Sequence, residues 1–78
     1  MRESMKTIVI NSDYIKLDQF LKFADIVSSG GESKVFIAEH DILVNGELES
    51  RRGRKLRHKD RVEVLGKTFQ INKDGEKE

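Results

Sequence analysis

From Arg51 to Arg61 the chain reads Arg-Arg-Gly-Arg-Lys-Leu-Arg-His-Lys-Asp-Arg. Seven of its fifteen Lys and Arg residues fall in these eleven positions, with Asp60 as the single acid. The rest of the 78-residue chain holds eight bases against thirteen acids, so a formal net charge of +1 conceals a segregated charge. Five of the seven bases are Arg, whose planar fork can grip two phosphate oxygens at once. The chemistry open to such a stretch is capture of a polyanion. Charge runs are commonly plain solvated turns, but the contrast with the acidic remainder favours anion binding. Leu56 is the one apolar side chain of the stretch and is expected to anchor it to the core while its neighbours face water.

Other chemistries find little support. Cysteine is absent, which removes disulfides and Cys-based zinc sites and fits a reducing compartment. His40 and His58 have no metal-ligating pattern around them. Asp18, Asp41 and Asp60 form no paired-carboxylate motif, and Asp60 is expected to shape a turn. Ser28, Ser29 and Ser33 have no evident base partner. Gly30-Gly31-Glu32-Ser33-Lys34 lacks the full phosphate-loop pattern. No catalytic constellation, metal, cofactor or small-molecule substrate is therefore expected. No apolar run approaches the ~18–20 residues that cross a bilayer, and the N-terminus does not read as a secretion signal. A cytoplasmic protein without a membrane partner is the expectation.

The elements that must position the basic stretch can be placed by pattern. Thr7–Ile10 is β-branched or aliphatic throughout and predicts a strand, ended by Asn11-Ser12-Asp13. Leu17, Phe20, Leu21, Ala24 and Val27 fall on one helical face, with Asp18 in the first turn. Ser28-Ser29-Gly30-Gly31 is expected to stop that helix. A second helix is predicted from Glu32 to His40, with Val35, Phe36 and Ile37 on its apolar side. Ile42-Leu43-Val44 predicts a strand turned by Asn45-Gly46, and Glu47-Leu48-Glu49 is expected to run out, in, out. Val62 and Val64 should point inward, with Arg61 and Glu63 outward. Gly66-Lys67 reads as a turn before a last strand at Thr68–Ile71. The fold class is α+β: a helix-turn-helix-like αα-hairpin packed on a small, mainly antiparallel β-sheet, within one domain over residues 1–78. Residues 1–5 and 73–78 are expected to be flexible.

The order of these motifs resembles the ribosomal protein S-four family of RNA-binding domains, the alpha-L RNA-binding motif. That family shows Arg-Leu-Asp at helix one, Ser-Arg-x-x-Ala-Arg at helix two, Val-x-Val-Asn-Gly, and Val-x-x-Gly-Asp before a closing strand. Here Lys16-Leu17-Asp18 matches the first element. Ser29 matches the Ser of the second, Gly30 stands where Arg is usual, and Ser33-Lys34 takes the Ala-Arg place. Ile42-Leu43-Val44-Asn45-Gly46 matches well, and Lys59-Asp60 stands for Gly-Asp. The match covers about residues 15–65, and the glycine pair with the Arg-rich loop is most similar to small stand-alone bacterial members.

The resemblance implies a non-enzymatic protein that binds structured RNA, with ribosomal RNA and a ribosomal subunit or its precursor as partners. A role in ribosome assembly or ribosome-associated regulation would follow. The residues expected to carry it are Lys16, Ser29, Lys34, Arg51, Arg52, Arg54, Lys55, Arg57 and Lys59. No aromatic lies within the basic stretch, which favours reading of backbone and shape over base stacking. About five neutralised phosphates would give a log–log salt slope of roughly −3.5 to −4.5. Two alternatives stay open. One is an adapter whose basic loop meets an acidic protein. The other is a DNA-binding helix-turn-helix, for which helix two offers only Lys34 as a base-reading donor.

Overall fold

A computed structural model of the chain describes residues 5–75. The elements run β1 (Met5–Ile10), β2 (Ile15–Lys16), α1 (Leu17–Phe23), α2 (Gly30–Glu39), β3 (Leu43–Val44), β4 (Glu47–Leu48), β5 (Lys55–Leu56), β6 (Arg61–Val64) and β7 (Lys67–Lys73). Five strands form one sheet in the order β1-β7-β6-β3-β4, and β2 pairs with β5 in a separate ribbon. Among the described strands only β1 and β7 run parallel; the other pairs are antiparallel. This is the expected α+β arrangement. Of the termini expected to be flexible, residues 1–4 and 76–78 lie outside the described residues, while Met5 and Lys73 are strand residues.

The apolar stripe of α1 does what its spacing implies: Leu17, Phe20 and Leu21 are fully buried. They meet Val62, Val64, Phe69 and Ile71 from the sheet in a single core, where Phe20 and Phe69 pack edge to face at 5.4 Å. Leu56 joins this core with no exposed surface, so the basic stretch is anchored at its centre as expected.

The first helix is shorter than its pattern. It ends at Phe23, and Asp25 adopts a left-handed φ of 62°. Asp25 N–H donates to the Lys22 carbonyl and Ile26 N–H to the Leu21 carbonyl, the bond pair of a Schellman cap. Aspartate supplies the left-handed position usually filled by glycine. Val27 still reaches the core, but after the chain has turned. Gly30-Gly31 accordingly does not stop α1; these residues open α2. Ser29 caps that helix, its Oγ accepting from Glu32 N–H at 3.1 Å. The Glu32 carboxylate accepts in return from the Ser28 N–H and hydroxyl, which hold its pKa below the ordinary value. On α2 the inward residues are Ser33 and Ile37, with Phe36 half-buried. Val35, expected inside, is exposed.

Asn45-Gly46 forms the predicted hairpin, with φ of 53° and 85°. The next hairpin turns one residue earlier than predicted. The register pairs Val64 with Lys67, which leaves Leu65-Gly66 as the loop, at φ of 54° and 72°. The twist of the strands demands two left-handed residues there, and a leucine in that role gives no sequence signal. Of the out-in-out reading of Glu47-Leu48-Glu49 only Glu47 holds its place: Leu48, expected inside, is 68% exposed and Glu49, expected outside, is buried.

Candidate nucleic-acid interface

The basic stretch is built into the start of α1. That helix has no side-chain cap at its N-terminal residue, Lys16. Its first free N–H groups are met instead by the loop: Leu17 N–H donates to the Arg54 carbonyl at 2.8 Å and Asp18 N–H to the Arg52 carbonyl at 3.1 Å. The orphan donors of a helix end thus fix the loop's backbone. The β2–β5 ribbon continues the seam, pairing Ile15 with Leu56 and Lys16 with Lys55.

Glu49 organises the other side of the loop. Its Oε2 accepts from the Ser50 and Arg51 N–H groups and from Arg51 Nε, all at 2.9–3.1 Å. Its Oε1 accepts from Arg51 Nη2 at 2.9 Å and Arg54 Nη1 at 2.8 Å. Hydrogen bonds from the Arg51 side chain, opposed by burial and reinforced by Arg51 N–H and Arg54, hold the carboxyl far below the ordinary glutamate range. An inward charge is tolerated here because two guanidinium groups and two amides surround it. This buried acid, flanked by an Arg-rich turn, was legible only as a charge at i relative to bases at i+2 and i+5.

The farther end of the stretch is held by a polar lock between two turns. Asn45 Nδ2 donates to Asp60 Oδ1, Arg57 N–H donates to Asp60 Oδ2, and Arg61 N–H donates to Asn45 Oδ1. Asp60 shapes the turn as expected. Lys59 stands at a φ of 78°, which explains why a glycine suits this place in the motif. His58 Nδ1 accepts from Lys73 N–H at 2.9 Å, tying the stretch to the end of β7.

The nine predicted site residues divide into four groups. Arg51 and Arg54 are ion-paired with Glu49, the first with a largely exposed side chain and the second with a mostly covered one. Lys16, Arg52, Lys55 and Arg57 gather around the α1 start and the ribbon, exposed and without an ion pair among the described residues. Lys59 is exposed beyond them. Ser29 caps α2 and Lys34 lies on it; that helix is joined to this region by the buried Ser33, whose Oγ donates to the Asp18 carbonyl at 3.1 Å. The Ser29 hydroxyl is already engaged as the helix cap.

Structure also adds an aromatic that the linear stretch lacks. Lys55 Nζ lies 4.9 Å and Arg57 Cζ 5.5 Å from the centre of the Tyr14 ring. Tyr14 sits thirty-seven positions before Arg51, so its arrival follows only from the β2–β5 pairing. A shallow groove lined by Arg51, Gly53, Arg54 and Lys55 runs along the loop. A second groove beside β1 is lined by apolar Val9, Ile15 and Phe23 and carries no base. Among the described residues no cluster of three or more metal-ligating side chains occurs, and no helix is long and apolar enough to cross a membrane.

Two comparisons bear on this arrangement. The "Probable ribosome maturation protein RlbA" of Bacillus subtilis (strain 168) is 51% identical over 65 residues, covering 82% of this chain and 92% of that protein. A family model described as "S4 domain" matches residues 8–72, a span that holds both helices, the ribbon and the whole basic stretch. The chain therefore belongs to the S4 domain family.

Proposed function

We propose that this protein is a non-enzymatic binder of structured RNA, ribosomal RNA or its precursor being the target, acting in ribosome maturation. The observation that carries the reading is the exposed set Lys16, Arg52, Lys55 and Arg57, held on a rigid ribbon and a backbone-capped helix start with no ion pair among the described residues. Family membership and the printed name of the Bacillus relative support it. Cations on a fixed backbone facing water release counterions when they meet phosphates, and they do so without losing the entropy of ordering the loop's main chain. Arg51 and Arg54 shape this surface, and Ser29, Lys34 and Lys59 flank it.

Four phosphate contacts give a log–log salt slope of roughly −3 on RNA. The test is a titration of a ribosomal RNA hairpin, and of a DNA duplex of matching length, at several salt concentrations. Binding to the RNA with that slope, and weaker binding to the DNA, is the expected result. A salt-independent affinity, or equal preference for the DNA, would sink the reading.

A further inference from the structure

The β2–β5 ribbon has two faces, set by the alternation of strand side chains. Ile15 and Leu56 pair across it and turn toward the core. The alternate positions, Lys16 and Lys55, pair with each other on the outer face. One step beyond the ladder Tyr14 meets Arg57 on that same face, as the contact of Arg57 with the ring shows. One aromatic ring thus has Lys55 and Arg57 against it and Lys16 on the same face of the ribbon, none of the three with an ion pair among the described residues. The neighbouring acid, Asp13, pairs with Lys73 Nζ at 2.9 Å and feels the charge of Arg57 more weakly. Tyr14 is 36% exposed, and the turn before it is held by Ser12 Oγ, which donates to the Tyr14 carbonyl at 2.9 Å.

We propose that Tyr14, with Lys16, Lys55 and Arg57, forms a site for one unpaired nucleotide of the bound RNA. Its base stacks on the phenol ring and its phosphates engage the cations. The site deepens the RNA-binding reading above and rests on it.

A ring with a fixed backbone and positive neighbours has the composition of a nucleotide platform: every base offers a π-face, and each nucleotide brings a negative charge with it. In the free protein the two cations lie against the ring. Exposed cation–π contacts of this kind are worth a few-fold in an equilibrium constant, whereas stacking of a base on an aromatic side chain is worth about 5- to 100-fold. The cations sit on flexible stems, so they can leave the ring for a phosphate as the base arrives. Stacking therefore wins. It also gives the surface a preference that a bare basic loop lacks, for a bulge or loop nucleotide beside a helix over uninterrupted duplex.

The chain has one Tyr and no Trp, so Tyr14 is the sole source of tyrosine emission. The full chain is titrated with an RNA hairpin carrying a one-nucleotide bulge, and with the same hairpin abasic at the bulge. Quenching of Tyr14 by the bulged RNA, with about tenfold tighter binding than to the abasic one, is expected. Tyr14→Leu should abolish that tenfold preference and leave the salt slope unchanged, while Tyr14→Phe keeps the preference. Circular dichroism melts of both variants confirm that they are folded. Salt-dependent binding of both RNAs with equal affinity and unaltered emission overturns the nucleotide site alone. Absence of salt-dependent RNA binding overturns this site together with the reading it rests on.

Discussion

Two neighbouring parts of the basic stretch use the same residue types to opposite ends. Around Glu49 the charge is turned inward: Arg51 and Arg54 neutralise a buried carboxylate and hold the loop's shape. Along the ribbon the charge is turned outward: Lys55 and Arg57 flank Tyr14, with Lys16 on the same face, over the buried Leu56 and the partly buried Ile15. Counting bases in the sequence treats all of these as one patch. The structure separates a part that builds the surface from a part that presents it. Net positive charge therefore overstates the charge on offer to a polyanion, because some of it is matched inside the fold.

The largest effect should come from removing the presented charges. Arg52, Lys55 and Arg57 replaced together by Ala should lower RNA affinity by about a hundredfold or more and make the salt slope shallower by roughly 2–3. The thermal midpoint should scarcely move. Arg51→Ala with Arg54→Ala should do the reverse, unfolding the chain at lower denaturant while changing the slope by less. If the two variants exchanged these signatures in matched binding and melting experiments, the division drawn above would be wrong.

Glu49→Gln probes the inward part. It keeps the shape but weakens bonds to two guanidinium groups, at a cost of about 2 kcal/mol in a denaturation curve. The same variant has a pH signature. Because the folded-state value of Glu49 is depressed, its stabilisation is complete above the ordinary glutamate value of about 4.5. It erodes as pH falls below that value, since the unfolded chain takes up the proton first, and the loss continues down to the folded value. Urea midpoints of the native chain should drop through the range below pH 5 more steeply than those of Glu49→Gln. Parallel curves would mean that Glu49 is not the anchor.

A smaller change sharpens the boundary between the two parts. Lys59→Gly removes a side chain from a left-handed position, a gain of about 1 kcal/mol or slightly more, offset by about 0.5 kcal/mol of added unfolded-state entropy. A net stabilisation of about 0.5 kcal/mol is expected. If Lys59 also meets phosphate, the salt slope should become shallower by somewhat less than 1 in the same variant. Lower stability with unchanged RNA binding would place Lys59 in the structural part instead.

Much of this molecule was written locally. The helical stripe Leu17, Phe20 and Leu21, the alternation of Val62 and Val64, the Asn45-Gly46 turn and the anchoring of Leu56 all depend on periods and backbone preferences that a short window contains. Other features were just as local but carried no residue signal. Asp25 ends α1 because its neighbours can close a Schellman cap, and Leu65 turns a hairpin because the register leaves it no other place. Both accept left-handed backbone without the glycine that would have announced it.

The concentration of bases between Arg51 and Arg61, and hence the attraction for a polyanion, was determined by the sequence alone, since charge is a property of composition. Which of those bases face outward was decided by the tertiary structure. Burial of Glu49 needs two guanidinium groups at once, and the meeting of Tyr14 with Lys55 and Arg57 needs a strand pair about forty residues apart in the chain. A linear pattern carries neither, because a charge's effective strength depends on what lies beside it in space.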